Sequence, residues 1–358
     1  MKRILALTLA VLLTFLCGCS GLLRNEYVSV KPHVEQRTVE ENADALTAEN
    51  YLSLKNDILS FVQDGKEDGV IRIYDYSGDV EGDLDMAAYE VSKNDPLGAY
   101  AVDYMTHECA LIVSYYEVHI HITFRRTKEQ IQAIHKVTGT ADLCDALYNA
   151  MKSYSAEAVL RMSYYNDPDI PGLVQAYYDQ NPSTCMEQPK VTVSVYPDSG
   201  YVRILEIQLT YLETPEVLKG KEEAVATSIR AAKEYVRYRR TETEKLQLLY
   251  TYLTERFSYQ EGRTSTPVES FLCEGVMTSE GCAKSLQVLC DQIGLECYTV
   301  TGMKGEKAYD WNIVKVDGAY RHVDLMRSIT EGGDALTLYP DSAMTGYFWN
   351  TSLYPACA

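Results

Sequence analysis

One stretch limits what this chain can become: residues 275–302, GVMTSEGCAKSLQVLCDQIGLECYTVTG. Ala283, Leu286, Leu289, Cys290 and Ile293 recur at helical spacing, giving a helix with one apolar stripe. Gly294 stops that helix, because glycine takes the left-handed cap at no steric cost. Glu296 to Thr301 continues as a strand. Two further strands, DWNIVKVD (310–317) and AYRHVDL (319–325), meet at Asp317-Gly318, a strong hairpin dipeptide. A one-sided helix must bury its stripe, so it packs on the antiparallel sheet that follows it. Upstream, a long helical stretch runs from Lys221 to about Phe257. Leu246, Leu249, Tyr250, Leu253 and Phe257 form its apolar stripe, Thr241 with Glu244 reads as a capping box, and the turn at residues 259–262 ends it.

Before this region the chain reads as one unit written twice, over residues 49–136 and 137–218. Each copy opens with an amphipathic helix, LKNDILSFV and DLCDALYNAM, and passes to a strand, GVIRIYDY and AVLRMSYY, in which Arg72 matches Arg161. A second helix and two strands follow. Val118, Ile120, Ile122 and Phe124 align with Leu205, Ile207, Leu209 and Tyr211 at a constant offset of 87. Glu117, His119, His121 and Thr123 alternate with the first set and face the other way. His119 and His121 share a strand face, as metal ligands can. No third ligand accompanies them and Glu206 and Gln208 replace them in the second copy, so they read as a solvated face. No metal site and no cofactor are expected. Thr127 with Glu129, and Thr214 with Glu216, then open the next helices.

The N-terminus begins with Lys2 and Arg3, a 13-residue apolar run from Ile4 to Leu16, and Leu16-Cys17-Gly18-Cys19. The run is short for a bilayer span. This pattern resembles a bacterial lipoprotein signal, which implies cleavage after Gly18, acylation of Cys19 (palmitate among the acyl groups), and an extracytoplasmic protein held to a membrane by lipid. An ordinary secretory signal or an uncleaved anchor are the alternatives. Residues 19–48 read as a polar tether. Without residues 1–18 the net charge moves from −18 to −20, an acidity that disfavours nucleic acid and anionic lipid as partners. The ten cysteines include no CxxC pair, which argues against zinc or a thioredoxin-like motif.

The C-terminal region, from about Glu242, resembles the transglutaminase-like domain of bacterial surface proteins. TETEKLQLLYTYLTERFSYQ looks like its leading helix, FLCEGVMTSEGCAKSLQVLCDQIGLECYTVTG its central helix and strand, WNIVKVDGAYRHVD its hairpin, and YFWNTSLYPAC its ending. The resemblance implies papain-like chemistry: a Cys thiolate at the helix start, a His base from the first hairpin strand and an Asp that orients the His. The family's Val-Cys-Glu-Gly-Tyr-Ala is Thr278-Ser279-Glu280-Gly281-Cys282-Ala283 here. Ser279 therefore stands at the nucleophile position, Tyr309 at the His position two before Trp311-Asn312, and Asp324 at the Asp position. Glu280, Trp311 and Asn312 are carried over as binding residues.

The fold expected is α+β, with two α-β-α-β-β repeats followed by a transglutaminase-like domain over residues 219–358. A serine needs a base beside it, and a tyrosine with an ordinary pKa near ~10 is a poor substitute for histidine. The leading expectation is a catalytically degenerate domain that binds an envelope protein, peptide or glycan. The alternative is an active transglutaminase-like thiol enzyme, cleaving or transferring amides with Cys282 and His322 or another base, or with an altered triad; Cys282 lies one helical turn after Ser279. A third reading keeps the domain for its fold alone.

Overall fold

The computed structural model describes residues 44–358 except Arg240, Phe257, Ser265 and Asp334. The signal, Cys19 and nearly all of the tether lie outside the described residues. Residues from Thr47 onward form one compact unit built on three four-stranded sheets.

The first sheet follows α1 (Tyr51–Asp64). Asn50 and Ser53 cap that helix reciprocally, and Gly65 ends it in the left-handed region. The three longer strands are β1 (Asp68–Ile73), β2 (Val102–Ile112) and β3 (Tyr115–Phe124), with β3 in the middle, and a short edge strand ending at Ala48 completes the sheet. Between β1 and β2 run α2 (Val80–Tyr89), a π turn and α3 (Pro96–Ala101). A short helix, α4 (Lys128–Gln132), leads onward; Thr127 caps it, with Glu129 in its first turn and Gln130 as capping-box partner.

The second sheet contains β4 (His135–Val137), β5 (Glu157–Met162), β6 (Lys190–Tyr196) and β7 (Arg203–Thr210), in the order β4-β5-β7-β6. Helices α5 (Thr140–Lys152) and α6 (Ile170–Gln180) bury Leu143, Leu147, Met151, Ile170 and Val174 against it. The two sheets share more than element order. Arg72 pairs with Glu117 and Gly69 with Ile120. Arg161 pairs with Ile204 and Ala158 with Ile207, which are the same ladder steps displaced by 87 residues on the central strand. The Ala48 carbonyl accepts from the Tyr74 N–H at 3.2 Å, as the Val137 carbonyl does from Ser163 at 3.2 Å. This leading strand, His135–Val137 in the second sheet, was not read from sequence.

One face differs between the sheets. His119 and His121 are exposed, at ion-pair distance from Glu117 and Asp68 respectively. Glu206, on the matching face of β7, is 3% exposed, against the alternation expected of it. Arg126, just beyond β3, reaches over and holds both Glu206 carboxylate oxygens at 2.6 and 2.7 Å. Tyr196 donates to Glu206 at 3.1 Å, and the Arg126 guanidinium lies 5.0 Å over the Tyr100 ring. Arg126 thus covers Glu206 on the outer face of the second sheet, while Gln208 on the same face stays exposed. Burial and the Glu206 carboxylate together push the Glu157 carboxyl above its ordinary range.

The long helical stretch divides into α7 (Pro215–Val236) and α8 (Glu242–Arg256). The break coincides with the Thr241–Glu244 capping box, whose two reciprocal hydrogen bonds are present. Two short strands, β8 (Gln260–Glu261) and β9 (Val276–Met277), pair in parallel and bracket the approach to α9 (Ser279–Gln292). The third sheet is β12 (Ala319–Val323), β11 (Lys307–Val316), β10 (Cys297–Lys304) and β13 (Tyr347–Phe348), in that order. Asp317 and Gly318 both have positive φ, as the hairpin reading requires. The α9 stripe, with α7 and α8, packs over Val314, Val316 and Val323 of the sheet. Trp311, Ile313, Val300, Tyr347 and Cys357 form a separate core cluster with the C-terminal tail.

Candidate functional site

Thr278 caps α9, its hydroxyl accepting the Gly281 N–H at 2.8 Å. A Cβ on residue 281 would stand 2.7 Å from the Pro267 carbonyl oxygen, so the close approach of the chain here requires glycine. Ser279 is the first residue of the helix and is half-buried. Among the described residues its hydroxyl makes no hydrogen bond.

Tyr309 and Asp324 are brought together. The Tyr309 hydroxyl donates to Asp324 Oδ1 at 3.0 Å. Asp324 is 1% exposed and caps α10 (Leu325–Glu331) by accepting the Arg327 N–H at 2.9 Å. Two groups that sequence reasoning missed complete its shell. Lys304 Nζ meets Oδ2 at 3.1 Å, and the Tyr347 hydroxyl donates to the same oxygen at 2.5 Å. The Lys304 ammonium also lies 4.6 Å from the Tyr309 ring centre and 4.9 Å from that of Tyr347. Nothing local in the sequence marks Lys304 or Tyr347. Gly302 lets the β13 backbone approach: a Cβ there would stand 2.3 Å from the Phe348 carbonyl oxygen and 2.8 Å from the Trp311 ring. Burial and the Asp324 carboxylate push the Tyr309 hydroxyl well above the usual tyrosine range, away from any role as a base near neutral pH.

Cys282 does not reach an open cleft. It is 2% exposed, in the core beneath α9. Burial first, and then the Asp324 carboxylate, hold its thiol well above the ordinary value, the opposite of what a reactive cysteine needs. In the native protein we expect Cys282 to label with a mild thiol reagent no faster than buried Cys290, on the order of 10²-fold slower than in the unfolded chain. Residue-resolved mass spectrometry measures this, and rapid selective labelling would contradict it.

His322 is also placed elsewhere. It is fully buried, accepts the Trp311 indole N–H on Nδ1 at 2.9 Å, and faces Asp341 through Nε2 at 2.8 Å. Its ring packs 4.9 Å from that of Trp349, in the cluster with the C-terminal tail, whereas the next residue, Val323, packs in the core with Cys282. Alternation along β12 thus separates His322 from Cys282, and the expected alternative pair is not formed. His322, Asp341 and Cys357 offer three ligand atoms within 4.8 Å of one another. A metal does not fit them well. The indole can only donate, so Nδ1 is the acceptor and Nε2 carries the ring hydrogen toward Asp341. Asp341 Oδ2 accepts the Cys357 N–H at 3.2 Å, so the trio fastens the tail to the sheet.

The expected binding residues divide. Glu280 is partly exposed and bonds Lys284 at 2.7 Å; Lys284 also meets Asp179 of the second unit at 3.3 Å. Trp311 is 1% exposed and Asn312 0%, so both are buried. Asn312 instead ties strand to helix by donating to the Ala283 carbonyl at 2.8 Å.

Residues 229–325 match the family model described as the transglutaminase-like superfamily. No curated protein matches the sequence. Among solved structures, one described as a TGase aligns at 11% identity over 57% of this chain and 61% of its own, with a TM-score of 0.26. Another, described as a "putative protease" from Parabacteroides distasonis, aligns at 9% identity over 71% of this chain and 39% of its own, with a TM-score of 0.24. The chain therefore spans less than two thirds of either structure. The sequence match and the helix-on-sheet geometry agree on the same segment: residues 229–325 form a transglutaminase-like domain.

Proposed function

We propose that this domain is catalytically degenerate and serves as a binding or scaffolding module of a lipid-anchored protein at the cell envelope. One observation carries the reading. Asp324, at the position that orients a catalytic histidine in the resembled family, accepts instead from Tyr309, Tyr347, Lys304 and the Arg327 N–H. A hydrolase triad that loses nucleophile or base loses on the order of 10⁶ in rate. Here serine replaces one and a proton-retaining tyrosine the other, while an ammonium neutralises the acid. The N-terminal pattern ending at Cys19 supports acyl anchoring outside the cytoplasm, and no helix among the described residues is long and apolar enough to cross a membrane. The matching ladder steps of the first two sheets support an internal duplication. The duplicated sheets would act as spacer or as a second surface for an envelope protein, peptide or glycan.

The test is catalytic. Incorporation of a fluorescent amine into a glutamine-containing protein, and ammonia release from a glutamine peptide, should both stay at the uncatalysed rate. Activity that disappears on Ser279→Ala would overturn the reading.

A further inference from the structure

The far end of α9 from Ser279 opens onto a cleft of about 590 Å³. Ser279 and Gln292 are thirteen positions apart, so roughly 20 Å of helix lies between cleft and degenerate triad. The cleft is lined by Val236, Ile293, Arg230, Lys233, Arg237 and Lys245, with Glu234 as the one acid in its lining. Four cations against one carboxylate reverses the balance of a chain with 33 basic and 51 acidic residues.

The arrangement is more than scattered surface charge. Arg230, Lys233 and Arg237 are spaced three and four apart and share one face at the end of α7. The field of that helix end accounts for cations there. It does not account for Lys245, which sits in the first turn of α8, where a cation is disfavoured, yet points into the same cleft and reaches the Ile293 carbonyl at 3.4 Å. The present partners are weak competitors. Arg230 meets Glu223 at 3.3 Å and Arg237 meets Glu234 at 2.8 Å, both as exposed pairs. Lys233 has no partner among the described residues.

We propose that this cleft binds a small, multiply charged oxyanion. Its volume falls in the range of small-ligand sites, and two guanidinium forks with two ammonium groups suit clustered phosphate or carboxylate oxygens. The acidity of the remaining surface favours a compact anion over an extended polyanion or an anionic membrane.

The experiment is calorimetric titration of the full chain with sodium tripolyphosphate, repeated with citrate and with phosphatidylglycerol vesicles. Tripolyphosphate should bind saturably at one site, more weakly as salt rises. The Lys233→Gln/Lys245→Gln variant, altered at solvent-reaching side chains, should fold normally by circular dichroism and bind at least ten-fold more weakly. Citrate binding at the same site would show that oxyanion charge, and not phosphorus, is recognised; its failure to bind would narrow the class to phosphates. No saturable binding, equal binding by the double variant, or binding of vesicles alone would overturn the proposal. A Ser279→Cys/Tyr309→His variant should bind tripolyphosphate unchanged, which separates this site from the catalytic reading.

Discussion

Replacing Arg126 by alanine is expected to destabilise the protein by about 3–5 kcal/mol, seen as a lower midpoint of urea unfolding. The size follows from what the substitution leaves behind. Glu206 is 3% exposed and both its oxygens depend on the Arg126 guanidinium. Without Arg126 a carboxylate stays buried beside Glu157, which already resists ionisation because of burial and of Glu206. Tyr196 supplies one remaining donor, too little to solvate a full charge. A paired apolar replacement, Arg126→Met with Glu206→Met, should recover most of the loss, since burying an ion pair offers little net advantage over apolar packing. A cost below about 1 kcal/mol for Arg126→Ala would show that the two sheets are not joined through this pair.

Asp324→Ala is the second large effect, also expected at about 3–5 kcal/mol. It removes the acceptor of two tyrosine hydroxyls, a lysine and a helix cap together. Asp324→Asn should cost less, about 1–3 kcal/mol, because Oδ1 can still accept from Tyr309 and from the Arg327 N–H. Its amide nitrogen would then face Lys304 and Tyr347, donor against donor. In a working triad the Asp serves catalysis first; here its removal should register first as lost stability. Equal stability of wild type and Asp324→Ala in urea would remove the support for a structural carboxylate at this position.

Much of the domain was legible because its signals are local. The α9 stripe, the Gly294 stop, the Asp317-Gly318 hairpin and the Thr241–Glu244 box depend on residues within a turn or two of one another. The register of Thr278 to Ala283, taken from the family resemblance, placed Ser279 at the helix start. The alternation of residues along the two central strands was legible too, since it is fixed by the backbone.

What failed was long-range. Trp311 and Asn312 read as binding residues but are buried, because which side of a strand meets a helix or a returning tail is not written beside the residue. Cys282 and His322 read as possible partners until β12 turned them to separate clusters. Lys304 and Tyr347 join Asp324 from β10 and β13, distant in sequence and brought together by strand pairing.

The sequence alone determined the main helices, the hairpin and the transglutaminase-like segment, since these rest on local spacing and residue identity. Only the tertiary structure decided that Glu206 is sealed by Arg126, that a lysine and a second tyrosine occupy Asp324, and that four cations from α7 and α8 converge on one cleft. Those outcomes depend on which surfaces meet, and burial and charge take their energy from that meeting rather than from the residue itself.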